Sequence, residues 1–326
     1  MKMDISGLWS LQLMMFFMVT AGAVLKKTNI LKDDSKGVLT DLVVYLFLPC
    51  SIINSFRMEL KSDIFVGFIT ILSASLVIQF LCYFLSKAAY NKESEAVKRV
   101  MQYCTIVSNT GFLGLPIAEG LFGAEGVMYA SIFIIPMRVM MWSAGIACFT
   151  ESPDFKSVVK KIAVHPCIVA VYIGLALLIF QRPLLGIYEN ITAGDGIVSS
   201  AVIMLITALN KSLSATGGCT TAITMLIIGM MIADIDFGSM LDKNTIIITL
   251  FRLIILPVTA FAGCWLLNID PFLSGIIVVM SGMPAGSTAP IMAAKYGCDY
   301  KFATKCVVVS TLFSMISIPG ICMLLI

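Results

Sequence analysis

Charged residues are scarce in this sequence, and histidine is almost absent. Asp, Glu, Lys and Arg make up 13% of its 326 residues, and there is one His. A soluble domain carries about a quarter charged residues. With 59% apolar residues and a mean hydropathy of +0.98, the composition predicts an all-helical, multi-pass integral membrane protein surrounded by lipid. No basic stripe interleaved with aromatic residues occurs, so nucleic acid is not an expected partner.

The motifs that carry enzyme chemistry are also missing. The ten cysteines are scattered and form no CxxC pair, and neither an HExxH nor a paired acidic motif is found. We therefore expect no metal, no cofactor and no catalytic residues, which makes a membrane-embedded enzyme the weakest alternative. A GxxxxGK[ST] loop is absent too, so ATP is not the expected energy source.

Two apolar segments are interrupted by glycine and proline in the same way. They read SNTGFLGLPIAEGLFGAE at 108–125 and MSGMPAGSTAPIMAAKYGCD at 280–299. Glycine and proline open a helix, and in hydrocarbon an open backbone is tolerated only where it is buried in protein or lines a cavity. Pro116 and Pro290 are 174 residues apart, and the same shift places Gly123 on Gly297. Two interrupted helices at corresponding positions indicate the binding site of a secondary transporter.

The apolar runs predict ten membrane spans, since about twenty apolar residues cross a bilayer. An odd number of spans in each half forces the second half to be inverted. The predicted units are a first five-helix repeat (1–149), a short cytoplasmic linker (150–165) and a second, inverted repeat (166–326). Within 182–214 the pattern leaves open a surface helix or the start of a long seventh span. The predicted spans are 6–25, 38–56, 64–87, 98–122, 126–149, 166–181, 215–233, 244–267, 272–294 and 302–326.

The placement of Lys and Arg predicts the orientation. Most of those outside the spans fall on the side of the linker 150–165, for example Lys26, Lys98 and Lys160. Because cytoplasmic loops are enriched in Lys and Arg, this side is expected to be cytoplasmic. Both termini are then outside the plasma (inner) membrane.

Polar residues at the two interruptions are candidate substrate ligands. The carboxamide of Asn109 can donate to an anionic group, while a half-helix beginning near Gly114 points its amides toward the same cavity. Alternatively, Asn109 caps freed backbone groups. Ser287 and Thr288 either offer hydroxyls to the substrate or bond back to a carbonyl one turn earlier.

Two arginines lie inside predicted spans. An arginine at mid-span costs about 3 kcal/mol or more, so it should face a polar interior. Arg138 is a candidate counter-charge for an anionic substrate, or the partner of Glu119 or Asp41 in a structural ion pair. Arg252 is expected to extend its side chain toward the cytoplasm. Asp41 and Glu119 are also the candidate relays if protons are coupled to transport.

The motifs NTGFLGLPIAEGLFGAEG and MPAGSTAPIMAAKYGCD resemble those of the auxin efflux carrier family over essentially the whole chain. The resemblance implies two inverted five-helix repeats with crossing, broken helices four and nine, similar to sodium–proton antiporters and bile-acid symporters. It also implies organic anions such as malate or malonate as substrates, and a homodimer formed through a scaffold of spans one, two, six and seven. Ala285 stands where plant members carry an amide, and no long central loop is present, so the chain resembles the bacterial type.

The sequence therefore predicts a carrier of a small carboxylate, either a secondary active transporter or a uniporter. A channel or membrane sensor on the same fold is the alternative, and the coupling ion and the direction of transport stay open. The predicted substrate residues are Asn109, Thr110, Gly111, Ser287, Thr288 and Arg138, and the predicted crossover residues are Gly114, Pro116, Pro284, Gly286 and Pro290.

Overall fold

The computed structural model describes residues 5–57, 63–149, 163–192, 197–233 and 241–325, together with residues 156, 159 and 160. Within these residues every regular element is a helix, which confirms the all-helical prediction. The helices are α1 (Ile5–Lys27), α2 (Asp33–Leu42), α3 (Leu48–Ser55), α4 (Asp63–Ala89), α5 (Glu95–Ile106), α6 (Leu115–Met140), α7 (Pro166–Ile179), α8 (Gln181–Thr192), α9 (Ile197–Ala233), α10 (Lys243–Leu250), α11 (Leu256–Leu266), α12 (Pro271–Ser281), α13 (Ala289–Lys295) and α14 (Tyr300–Leu325).

Four wider π turns adjoin these helices. One joins α2 to α3, one precedes α6, one follows α6 and one joins α10 to α11. A π turn inserts an extra residue into the helical ladder and is frequent at functional sites. They span Val43–Phe47, Thr110–Gly114, Met141–Gly145 and Phe251–Ile255.

Six helices among the described residues are long and apolar enough to cross a membrane. Two shorter apolar helices, α7 and α12, add to them. This finding supports a multi-pass membrane protein. A predicted span that is broken in its middle cannot form one long helix, so length alone does not test the ten-span prediction. The six are Asp34–Ser55, Ile64–Ala89, Thr110–Gly145, Ser199–Ala233, Lys243–Leu266 and Tyr300–Met323.

Two glycines turn the chain where the interrupted segments end. Gly123 has φ +66° inside α6, and Gly297 has φ +68° just after α13. An L-residue with a side chain rarely adopts this left-handed conformation, so glycine is the residue that allows the turn. At Gly123, α6 is therefore divided into two helical parts that run in different directions.

The helices pack in two groups. In the first, α1 packs extensively against α9, and α3 lies against α7 and α9. In the second, α4 packs against α5, α6 and α12, while α14 packs against α10 and α13. Contacts of α3 with α6 and of α1 with α14 join the groups. The interrupted segments belong to the second group and lie where it meets α9.

The described part of residues 182–214 decides between the two alternatives for this segment, a surface helix or the start of a long seventh span. Helix α9 is continuous from Ile197 to Ala233 and has 37 residues, so it begins well before the predicted seventh span. The long-span alternative is thus the better description, and α8 is a separate helix that precedes it. Residues 193–196 between the two helices lie outside the described residues.

Candidate functional site

The first interruption is short. Helix α5 ends at Ile106, Val107 is extended, and the π turn Thr110–Gly114 restarts the helix. The carbonyl oxygen of Asn109 accepts hydrogen bonds from the amides of Leu113 (3.0 Å) and Gly114 (3.2 Å). The expected restart near Gly114 was therefore four residues too late. Gly114 and Pro116 are helical, and Pro116 lies directly after the π turn, in the second turn of the restarted helix, where it cannot donate to a carbonyl group of the preceding turn.

The second interruption is longer. Helix α12 ends at Ser281 and α13 begins at Ala289, so Pro284 and Gly286 both lie in non-helical backbone. Pro290 lies in the first turn of α13, where its missing N–H costs no hydrogen bond. The aligned prolines thus differ in position, because Pro290 begins a helix whereas Pro116 follows one turn after the restart at Thr110.

The two interruptions pair with each other. Asn109 donates its N–H to the carbonyl oxygen of Pro284 (2.8 Å), and Gly286 donates its N–H to the carbonyl oxygen of Val107 (2.9 Å). Together they make an isolated antiparallel bridge between Ser108 and Ala285. Backbone groups without partners are costly in hydrocarbon, so this pairing is what makes both openings tolerable.

Side chains support the same crossing. Arg252 is 2% exposed, and it donates from Nε to the carbonyl oxygen of Met283 (3.1 Å) and from Nη1 to that of Thr105 (2.9 Å). The expectation that Arg252 extends toward the cytoplasm is therefore wrong, because two carbonyl groups hold it in the interior. Ser310 adds a third contact by accepting from the N–H of Ala285 (3.1 Å).

A cavity of about 210 Å³ lies between the crossing and the first helix group. Asn109, Ser287 and Thr288 line one wall, with Pro290 beside them. The opposite wall consists of residues from α2 and α9: Lys36, Thr40, Ile227, Ile228 and Met231. Four of the eleven predicted residues therefore meet at one cavity.

Asn109 occupies the residue before the restarted helix, but its side chain makes no capping hydrogen bond. Within the part of the chain that the structure describes, its carboxamide has no hydrogen-bond partner. The alternative that Asn109 merely caps freed backbone groups is therefore not what the structure contains. Buried polar groups normally have partners, so a carboxamide at a cavity wall is available to a ligand.

The hydroxyl residues differ among themselves. Thr288 shares a hydrogen bond with the hydroxyl of Tyr103 (2.9 Å), rather than bonding to a carbonyl one turn earlier. Thr110 is fully buried and accepts from Ser108 (3.4 Å), so it lies away from the cavity. Tyr103 was not predicted, because an aromatic residue in an apolar helix carries no signal of function. Ser287 is half-buried at the cavity wall.

Arg138 is the second buried arginine, with 7% of its surface exposed. Its Nη2 atom lies so close to Gly111 that a Cβ at that position would be 2.8 Å away. Its Nε is buried and has no hydrogen-bond partner among the described residues. No carboxylate forms an ion pair with Arg138 in the described ranges, and it does not line the 210 Å³ cavity.

The acidic residues Asp41 and Glu119 and the histidine do not form ion pairs with Arg138 in the described structure. Glu119 accepts a hydrogen bond from Thr221 on α9 (3.3 Å) and helps line a second polar cavity of about 410 Å³ with Asn54 and Arg57. Asp41 is exposed. His165 caps α7 by accepting from the N–H of Cys167 (3.3 Å). The predicted ion pair of Arg138 with Glu119 or Asp41 is not formed.

Comparison with known proteins gives consistent results. A family model described as "Membrane transport protein" matches residues 11–156 and 153–322. An uncharacterized transporter of Methanocaldococcus jannaschii is 26% identical over 317 residues, which cover 94% of this chain and 95% of that protein. An uncharacterized transporter of Methanothermobacter thermautotrophicus is 22% identical over 306 residues, which cover 93% of each chain.

Proposed function

This chain belongs to the membrane transport protein family, the auxin efflux carriers, and from that premise we propose that it carries a small organic anion by alternating access. The family and its transporter relatives support transport across a membrane. The substrate class, the mechanism and the arrangement of spans are the parts that we propose. Malate-like or malonate-like carboxylates are the first candidates, and auxin-like acids the second.

The observation that carries the anion proposal is the environment of Arg138. Its guanidinium is buried against Gly111, in the first turn of the helix that restarts after the crossing. The N-terminal end of a helix carries a partial positive charge, so a cation there is in an unfavourable position. A buried charge without a partner is costly. A carboxylate bound beside the guanidinium of Arg138 would offset both penalties.

The cavity at the crossing fits the same class of substrate. Asn109 and Ser287 offer a carboxamide and a hydroxyl, and both can donate hydrogen bonds to a carboxylate. Drug-sized ligands occupy pockets of about 300–1,000 Å³, so 210 Å³ suits a smaller molecule. The apolar side chains of α9 on the opposite wall would contact the carbon chain of the substrate.

Ten spans in two inverted repeats remain our proposal for the architecture. The aligned prolines Pro116 and Pro290 both lie within two turns of the start of a half-helix, and the aligned glycines Gly123 and Gly297 both have a positive φ. Equivalent backbone at equivalent positions is what an internal repeat predicts. An inverted repeat with interrupted helices is the architecture of many secondary transporters.

Alternating access would move the helix group that contains the crossing against the group formed by α1, α3, α7 and α9. Two cavities between these groups support this proposal: one at Asn109 and another, polar one at Glu119. We further propose that both termini lie outside the plasma (inner) membrane, as the Lys and Arg distribution indicates. A homodimer through the first group follows from the family resemblance, and a proton gradient is one candidate energy source.

Uptake into proteoliposomes tests the substrate class. Labelled malate, malonate and indole-3-acetate would be offered to the wild type, Arg138→Gln and Arg138→Lys, with and without a pH gradient. Arg182, an exposed arginine on α8, supplies the control Arg182→Gln. We expect saturable uptake of a carboxylate that Arg138→Gln abolishes and Arg182→Gln retains. Unchanged uptake in Arg138→Gln, or uptake of none of the three acids, would contradict the proposal.

A further inference from the structure

Arg252 makes contacts that transport of an anion does not by itself explain. It lies in the π turn Phe251–Ile255 between α10 and α11, and it is among the largest fully buried side chains. Its two hydrogen bonds go to backbone carbonyl groups, one from each interrupted helix. The guanidinium therefore links the two interruptions through a third helix.

Both acceptors are carbonyl groups that the interruptions leave without a helical partner. In an uninterrupted helix the carbonyl of Thr105 would accept from the N–H of Asn109. That N–H instead donates to Pro284, so Arg252 replaces it at Thr105. Met283 follows the end of α12, and its carbonyl likewise accepts from Arg252. The carboxyl-terminal ends of helices favour cations, which suits a guanidinium at this place.

The groups around Arg252 are nearly neutral. Tyr90, Cys82 and Cys104 are close enough to interact with its charge. Within the described ranges no carboxylate forms an ion pair with it. Its two carbonyl contacts are therefore the specific interactions that hold the charge, and a planar guanidinium can reach both at once in a way that an ammonium group cannot.

We propose that Arg252 is a positioning residue that fixes the two interruptions relative to each other and so aims Asn109 and Ser287 into the cavity. Asn109 adjoins the bridge that Arg252 flanks, because its N–H bonds to Pro284, one residue after Met283. A shift of one interruption against the other would move the walls of the cavity. The proposal depends on the geometry of the crossing and holds whatever the substrate is.

Amide hydrogen exchange tests this without any substrate. Exchange would be followed by mass spectrometry in peptides that cover 104–112 and 282–289, in the wild type, Arg252→Lys, Arg252→Gln and the control Arg182→Gln. We expect exchange at least about tenfold faster in both peptides of Arg252→Lys, because a bond to a charged donor is lost. Peptides from the α1–α9 contact should be unchanged.

Three results would overturn the proposal. One is equal exchange in Arg252→Lys and wild type, and another is acceleration spread evenly over all helices, which would make Arg252 a general packing residue. The third result comes from the wild type alone, so it can be obtained even if the variants fail to fold. The amides of Asn109 and Gly286 must be strongly protected, so exchange as fast as that of the α1–α2 loop would contradict a fixed crossing.

A double-mutant cycle on uptake gives the second readout. Arg252→Lys is expected to raise KM while leaving the maximal rate within about threefold. Asn109→Ala should raise KM by a smaller factor in the Arg252→Lys protein than in the wild type. Additive effects would show that Arg252 does not act through Asn109. Should the protein carry no organic anion, the uptake assay fails and the exchange result still stands, so the two proposals are tested separately.

Discussion

The two buried arginines make opposite kinds of contact. Arg252 donates to two carbonyl groups at 2.9 and 3.1 Å, so its charge is stabilised by hydrogen bonds to the ends of the interrupted helices. Arg138 is buried against Gly111, and its Nε has no hydrogen-bond partner among the described residues. The contacts of Arg252 support the structure of the crossing, whereas the hydrogen bonding of Arg138 is incomplete. A buried charge without a partner is costly, so an incomplete one indicates a place for a ligand.

The same contrast appears between the hydroxyl and amide groups of the crossing. Thr288 is bonded to Tyr103, and Ser310 to Ala285, whereas the carboxamide of Asn109 makes no capping bond and faces a cavity. The groups that have partners hold the crossing in shape. Those without partners are the ones that a substrate can use.

Replacing Arg252 should have the largest effect on stability. Arg252→Met leaves two buried carbonyl groups without donors, at a cost of about 1–3 kcal/mol each. We expect a marked fall in the apparent Tm of the purified protein, measured by thermal unfolding in detergent, whereas Arg182→Met should unfold like the wild type. An Arg252→Met protein as stable as the wild type would show that the carbonyl groups find other partners.

Replacing Arg138 should have a large effect on transport and little on stability. Arg138→Met removes the proposed counter-charge, and loss of one partner of a buried charged pair costs about 2–5 kcal/mol, which is at least about 30-fold in affinity. Its apparent Tm should equal or exceed that of the wild type, because an unpaired buried charge has been removed. A fall in Tm as large as that of Arg252→Met would erase the distinction between the two arginines.

Adding one methyl group beside Arg138 should have an intermediate effect. In Gly111→Ala the new Cβ would lie 2.8 Å from Nη2, so the guanidinium has to move, and we expect uptake to fall about three- to tenfold. Gly263→Ala is the matched control, because nothing lies within 4 Å of a Cβ there. Equal uptake by the two variants would place the substrate away from Arg138.

The smallest effect is expected for a hydroxyl at the edge of the cavity. Tyr103→Phe removes the bond to Thr288, worth about 0.5–1.5 kcal/mol, so the KM for the substrate should rise by no more than about tenfold. Tyr172→Phe removes an exposed hydroxyl on α7, outside the cavity lining and the crossing, and should leave KM unchanged. A rise of KM in Tyr172→Phe as large as that in Tyr103→Phe would contradict this assignment.

The interruptions themselves could be predicted because glycine and proline act locally. Pro290 lies in a first turn, and Gly123 and Gly297 have positive φ, all of which follows from backbone preferences of single residues. The restart at Thr110 could not be predicted, because the N–H of Asn109 bonds to a carbonyl 175 residues away at Pro284. Tertiary structure decides which carbonyl group accepts from this N–H.

The roles of the arginines were predictable only in part. An arginine in an apolar segment indicates a place in the protein interior, which holds for Arg138 and Arg252 alike, and a polar partner, which the structure shows for Arg252. Which neighbour it has depends on packing. The partners of Arg252 are carbonyl groups, which every residue carries, so no side-chain pattern at Thr105 or Met283 could reveal them. The hydrogen bond between Tyr103 and Thr288 was not predicted for a related reason, since a tyrosine in an apolar helix usually packs against apolar neighbours.

Ligand-dependent stability compares the two arginines most directly. A carboxylate that binds the folded protein raises its Tm, so Tm would be measured against malate or malonate concentration in the wild type, Arg252→Lys and Arg138→Gln. We predict a concentration-dependent rise in the wild type and, at higher concentrations, in Arg252→Lys, but none in Arg138→Gln. A rise of the same size at the same concentrations in Arg138→Gln would contradict the claim that this arginine receives the substrate.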